Sequence, residues 1–426
     1  MDMLDYESSN ERIMRLDNKR VGIIYPIIYR KTKTSCVDVV DSLLGFLINH
    51  NTSEKQSKCY EALLYNLVYA YLFRGCEGVL FSKNKKSYHQ FHIINGRKCK
   101  SKIYYQGAID FLDLMKKLGY LTSLPGGSLG SHGYKPGYVL FTDKFKYEVN
   151  DSTDLGIVPT KDLVRLKTGK LGEYSVFKET SEIRAMIELT QDYNKMMEAW
   201  SVSLNGVPIN SDIYRLFLGS MNYYARWHGD FQIIPSEKRE DLTFNLQSTK
   251  EIDFQASHIT IMYAIKGIDI SDLDPYNPEN IKEMLDDCKL DLQDFNLTRK
   301  DLKWFILMMI NCDSIHSAIL ALVNEKSLNC KFGRKHKFYK TVIESLLEFH
   351  QEIKDLFFVP KFSLTLMKYE SEVMEGILQV CVKKNLPILP IHDSVVCMEE
   401  HVELVNQIML DSFYSKWHVQ CTTKIK

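Results

Sequence analysis

Two aspartates set where apolar strands run out are the residues best suited to do chemistry in this 426-residue chain. Glu251-Ile252-Asp253 leaves a strand-like stretch and leads to a helix-like one, Ser257 to Ile265. Asp393 lies between Leu386-Pro-Ile-Leu-Pro-Ile391 and Val395-Val-Cys-Met398, apolar runs that predict the arms of a hairpin turning at the aspartate. Two carboxylates on adjacent strand ends are what a pair of Mg²⁺ ions needs for in-line phosphoryl transfer, and Mn²⁺ would serve the same donors. One ion activates an attacking oxygen while the other holds a triphosphate and stabilises the leaving group.

The elements that must position these aspartates follow from periodicity. Residues 1–80 read as a helical region, with Val37 to Asn49 and Tyr60 to Leu72 as its clearest amphipathic stretches. Residues 81–150 continue with a strand at Tyr88 to Ile94 and a helix from Tyr105 to Leu118 that ends at Gly119. A glycine-rich turn at 125–133 and a strand at Tyr138 to Thr142 complete the order helix, strand, loop, strand. That is the order of a winged helix, whose helix and wing commonly meet DNA. Lys98, Lys100 and Lys102 precede the helix, and Asp110 and Asp113 on it are expected at its surface. A second long helix is predicted over Ile183 to Trp200, with strands at Leu242 to Leu246 and Glu251 to Asp253.

Bulk composition narrows the class. Hydrophobic residues at 45% and charged residues at 25% are those of a globular protein with room for two or three domains. No apolar run approaches the length of a membrane span, and Met1 to Arg12 is too polar for a signal peptide, so no membrane partner is expected. The ten cysteines are scattered without a Cys-x-x-Cys pair, which argues against structural zinc and fits reduced thiols in a cytoplasm. Lys and Arg balance Asp and Glu at 54 each, which is unlike a protein that coats nucleic acid nonspecifically. A nucleic-acid enzyme of this charge must gather its cations locally. The segment around Lys331, Arg334, Lys335 and Lys337, interleaved with Phe332, Phe338 and Tyr339, does so.

From Tyr214 to Met398 the chain resembles the palm and fingers shared by family A DNA polymerases and phage-type single-subunit RNA polymerases. Motif A of that superfamily opens with a metal-binding aspartate after a strand and continues into a helix, as Asp253-Phe-Gln-Ala-Ser-His-Ile-Thr-Ile-Met-Tyr-Ala264 does. Motif C is a hairpin turn, His-Asp-Glu in the DNA enzymes and often His-Asp-Ser in the RNA enzymes; His392-Asp393-Ser394 has the second form. Motif B is a fingers helix with an arginine and, one turn on, a lysine, as in Arg299 and Lys303. On a helix these two share a face, where both could hold a triphosphate by charge-assisted bonds.

The resemblance implies an α+β fold in which a right-hand palm with an antiparallel sheet and helical fingers, at 241–426, follows a linker or thumb-like template-contact region at 151–240. It implies a nucleotidyltransferase that takes a DNA template with primer and nucleoside triphosphates. Asp253 and Asp393 would be the metal ligands, Arg299 and Lys303 would hold phosphates, and Lys303 could protonate departing pyrophosphate. His392 would lie near the primer terminus. Arg215, Arg226 and Arg239 are candidates for strand contacts, with Tyr223, Tyr224 and Trp227 as base stackers. Lys368, Glu370 and Glu372 would line the primer side.

Two positions depart from the family pattern. The aromatic expected two turns after the fingers lysine is Asn311, which can bond a sugar or base but cannot stack. The residue beside the sugar 2′ position is His258, whose bulk favours deoxyribonucleotides, while Ser394 leans toward the RNA enzymes. Nothing in the N-terminal half resembles a proofreading exonuclease. The sequence therefore points first to a compact DNA polymerase or primase-polymerase of a phage or mobile element. A single-subunit DNA-directed RNA polymerase is the alternative, and a non-catalytic winged-helix replication or regulatory factor is the alternative of another class.

Overall fold

The strand that ends in Asp253 runs over Gln247–Phe254 and is the centre of a seven-stranded, wholly antiparallel sheet. Its side chains alternate: Ile252 and Phe254 enter the core, while Glu251 and Asp253 point to the other face. The strands run in the order Val207–Pro208, Val202–Leu204, Leu242–Phe244, Gln247–Phe254, Ser394–Met398 and Ile388–Ile391. Thr423–Ile425 adds a seventh by pairing with the end of Gln247–Phe254. In the computed structural model, residues 21–23, 36–48, 52–72, 77–81, 91–100, 103–124, 127–128, 134–135, 137–150, 162–168, 173–287 and 297–426 are described. Most of the expected glycine-rich turn, together with Lys102 and much of the charged run from 286, lies outside them.

The hairpin Ile388–Ile391 and Ser394–Met398 is buried throughout, as strands covered on both faces are. Its two-residue turn is His392-Asp393, and His392 has φ 58, a left-handed conformation that a non-glycine residue adopts at a cost of about 1–2 kcal/mol. Ala256, which opens the helix Ser257–Ile265, is left-handed as well, with φ 52. Backbone strain thus flanks both aspartates, a pattern that clusters at functional sites.

Helices cover the sheet. Ser257–Ile265 packs on the long helix Phe362–Lys384, which packs in turn on Val402–Trp417. Asn385 closes the long helix in the left-handed conformation that favours asparagine at this position. Arg299–Asn311 starts at a capping box between Thr298 and Asp301 and buries Leu302, Phe305, Ile306, Met309 and Ile310, an apolar stripe of helical period.

One core spans Tyr193 to Val419 and a second spans Val40 to Val149. Residues 193–240 share the first: Tyr193, Met197, Trp227 and Phe231 pack with the sheet, and Val202–Leu204 is one of its strands. The resemblance implies a linker or thumb-like region over 151–240; part of it instead joins this sheet and core, an association between distant strands that local periodicity does not show. In the N-terminal part the helix Tyr105–Lys117 precedes the antiparallel strands Leu121–Leu124 and Gly137–Phe141, with Gly78–Phe81 beside the latter. Lys98 and Lys100 fall in the hairpin Phe91–Ile94 and Arg97–Lys100. At that hairpin's turn Asn95 accepts from the amides of Leu163 and Val164 at 2.7 and 3.1 Å, which ties the two parts together. The fold is mixed α+β, and among the described residues no helix is long and apolar enough to cross a membrane.

Candidate active site

Strand pairing sets Asp253 directly opposite Ser394, so Asp393 sits one residue from the register partner of Asp253. The amide of Phe254 donates to the Asp393 carbonyl at 3.2 Å, closing the two strand ends together. Ser257, on the first turn of the following helix, donates its hydroxyl to Asp393 Oδ2 at 3.0 Å. Burial pushes the Asp393 carboxyl up to about 6, and the nearby charges of Glu370 and Asp253 push in the same direction. The two aspartates separated by most of the C-terminal half therefore meet at one end of the sheet.

Cations of the protein itself surround this end. Glu370, buried on the long helix, takes Arg226 Nη2 at 2.8 Å and His258 Nε2 at 2.9 Å. Burial alone would raise its carboxyl, but the bond from His258 and the Arg226 charge outweigh burial and hold it below the usual range. Glu251 accepts from the Ser394 hydroxyl at 2.8 Å and lies 3.2 Å from Arg239 Nη1. Lys426 Nζ lies 2.8 Å from Asp253 Oδ2 and 3.2 Å from Glu251 Oε1. Glu251 and Glu370 thus have half-buried arginine partners, whereas Asp393 has none among the described residues.

That arrangement bears on a metal. Among the described residues no three His, Cys, Asp or Glu side chains form a ready ligand group. Mg²⁺ keeps several waters and takes one or two carboxylates plus substrate phosphates rather than a protein cage, so a pair of aspartates is a fitting donor set. Asp253 Oδ2 already attracts a cationic atom, the Lys426 ammonium.

Beside the Asp253 strand end opens a cleft of about 340 Å³, lined among others by Gln255, Ala256, Thr260, Asp274, Arg299 and Thr422. Arg299 stands at the start of its helix, with Nε 2.7 Å from Asp274 Oδ2 and its guanidinium 5.1 Å from the centre of the Tyr276 ring. The phenol of buried Tyr276 is pushed up, mainly by burial, with the Asp393 charge contributing. Lys303 is exposed one turn further along, and Asn311, also exposed, donates to Leu307 O at 2.8 Å. Arg334, Lys335 and Lys337 are exposed where the helices Lys326–Phe332 and His336–Phe349 meet; Lys331 is bound to Asp301 at 2.5 Å.

Several expected strand contacts are instead internal. Arg215 is 1% exposed, donates to Ala225 O at 2.9 Å, pairs with Glu375 and lies over the Trp227 ring. Alternation along Ile213–Leu218 turns Arg215 inward, so it fastens the strand to the long helix and does not reach nucleic acid. Trp227 is buried for the same reason and is a core residue, not a base stacker. Arg226 and Arg239 are held by Glu370 and Glu251 and neutralise carboxylates of the site. His392 is mostly buried, its imidazole pushed down to about 4 by burial and by the Arg226 charge, and its Nδ1 has no hydrogen-bond partner among the described residues.

Outward from Arg215 and Trp227 stand residues whose association the sequence did not reveal. Arg165 lies over Tyr214 at 3.4 Å, Tyr214 stacks on His228, and Tyr224 stacks on the other side. His228 meets His392 edge to face at 6.2 Å. This ladder braces the hairpin turn. Asp274, Glu251 and Lys426 were also missed as site residues; only the glutamate, two residues before Asp253, carried a local signal, since period 2 puts it on the same face. No protein-family model matches this chain, and no curated protein matches it.

Proposed function

We propose that this chain is a template-directed nucleic-acid polymerase, a nucleotidyltransferase that extends a primer on DNA with deoxyribonucleoside triphosphates. The meeting of Asp253 and Asp393 at adjacent strand ends carries this reading. Mg²⁺ held at this end of the sheet would supply activation of the attacking hydroxyl and charge stabilisation at the α-phosphate. Asp253 and Asp393 would hold it, with Ser257 orienting the second carboxylate. Arg299, at the cleft beside Asp253, is placed to take β- and γ-phosphate oxygens, and exposed Lys303 stands ready on the same helix to neutralise or protonate the leaving group.

Sugar preference follows from two contacts. His258 lies against Glu370, which fixes its bulky ring on the motif A helix. Ser394 spends its hydroxyl on Glu251 and on Ile391 O, inside the protein, so its match to the RNA enzymes makes no contact with a nucleotide. The first favours deoxyribonucleotides, and the second removes the match that leaned toward ribonucleotides. The helix-and-strand unit within residues 78–141 would recruit DNA, as in a compact polymerase or primase-polymerase of a phage or mobile element. Purified protein given primed and unprimed DNA with labelled dNTPs or NTPs tests this: dNTP addition to a primer is the expected product. NTP polymerisation from an unprimed template would indicate the RNA polymerase instead, and Mg²⁺-independent DNA binding without any product would indicate the non-catalytic factor.

A further inference from the structure

The aspartate assigned to the metal is paired with a lysine whose environment differs from that of the two arginines held by Glu370 and Glu251. Arg226 and Arg239 side chains are 15% and 16% exposed and face carboxylates that are almost fully buried. Lys426 is 44% exposed and Asp253 24%. The strand Thr423–Ile425 delivers it by pairing with Ile252–Phe254, and the Lys426 amide donates to Glu251 O at 2.8 Å. The backbone is therefore fixed while the ammonium hangs on a flexible stem in contact with water. Buried pairs are costly to separate, whereas exposed pairs contribute little and yield readily.

Charge counting gives the same division. Arg239 offsets Glu251 and Arg226 offsets Glu370, and among the described residues Lys426, shared with Glu251, is the one cation paired with Asp253. A divalent ion approaching Asp253 meets an ammonium on the oxygen it needs. We propose that Lys426 is an exchangeable internal counter-ion, occupying Asp253 until a divalent cation displaces it and thereby setting the affinity of the site for metal. This inference rests on the assignment of Asp253 as a metal ligand made above. An intramolecular competitor weakens apparent affinity by the factor that its own occupancy imposes.

Mn²⁺ titration of the full chain, read from the free-ion EPR signal without nucleotide or DNA, tests it. Lys426→Met is expected to tighten Mn²⁺ binding by roughly twofold to fivefold, the range an exposed ion pair can supply. Lys426→Arg should stay near wild type, and added salt should narrow the gap between wild type and Lys426→Met. Equal or weaker binding by Lys426→Met, or binding by neither protein, would overturn the inference. Asp253→Asn separates the two claims. If it abolishes Mn²⁺ binding while Lys426→Met changes nothing, only the counter-ion falls; if it binds as wild type, the ligand assignment itself falls.

Discussion

Asp393 occupies surroundings that oppose its own charge, and that opposition is measurable. Its carboxyl, pushed up to about 6 by burial and by Glu370 and Asp253, holds a proton more tightly in the folded chain than in the unfolded one. The associated stability is present at acid pH and is lost as pH rises through about 6. Asp393→Asn removes the buried charge and keeps an acceptor for Ser257, so it should melt at a higher temperature than wild type at pH 8. That advantage should shrink as pH falls below about 6, in thermal melts across the range. A second outcome belongs to the phosphate end. Asp274→Ala frees Arg299 and should tighten binding of a fluorescent nucleoside triphosphate several-fold, as loss of an exposed ion pair allows, whereas Arg299→Ala should weaken it. Both aspartates were legible because a carboxylate at the end of an apolar strand is a local pattern. Asp274 and Lys426 were not, since each owes its role to a partner far away in sequence.

Strands and helices sort the basic and aromatic residues in a way that composition hides. The stretch from Tyr214 to Gln232 is rich in arginine and aromatics, and read as a run it suggests one surface for nucleic acid. Folded, Ile213–Leu218 and Arg226–Gly229 pair antiparallel and split it by alternation. Tyr214 and His228 go to one side, Arg215 and Trp227 to the other. The first pair joins the ladder that braces His392; the second joins the core. Arg215→Ala should therefore lower unfolding free energy by about 3 kcal/mol, because it deletes a buried, paired guanidinium and leaves Ala225 O without that donor. Urea unfolding checks the loss. DNA affinity of the folded fraction should stay within twofold of wild type, which a strand-contact role would not permit. The helix Arg299–Asn311 is the opposite case: its capping box and apolar stripe are both local, and it carries the arginine and lysine that the resemblance sets one turn apart on a helix.

Across the whole molecule, the α+β class is the one the resemblance implies, and local patterns mark only the Asp253 strand and the hairpin around Asp393 within the sheet. The parallel pairing of Val164–Thr168 with Ile213–Leu218 was not foreseeable, because nothing in either strand specifies so distant a neighbour. Nor was the burial of imidazoles. His350, fully buried, accepts from or donates to the Tyr263 hydroxyl at 2.8 Å and is pushed down to about 4 by burial. His228 and His392 are depressed in the same way and by the same cause. These three imidazoles therefore bind fewer protons in the folded chain than in the unfolded one between about pH 6.5 and 4, and their contribution to stability falls as pH falls through that window, opposite in sign to that of Asp393. His350 alone accounts for up to about 3 kcal/mol of this, at 1.36 kcal/mol per pH unit. His350→Gln should show a shallower decline in urea midpoints over the same range.

The single-turnover addition of one nucleotide to a primed DNA template in Mg²⁺, by wild type, Asp253→Asn and Asp393→Asn, bears most directly on the meeting of the two aspartates at one catalytic centre. Wild type should extend the primer, and each variant should lose at least about a thousandfold in rate while keeping a cooperative melt. Extension at the wild-type rate by either variant, or no extension by the wild type with any nucleotide, would contradict it.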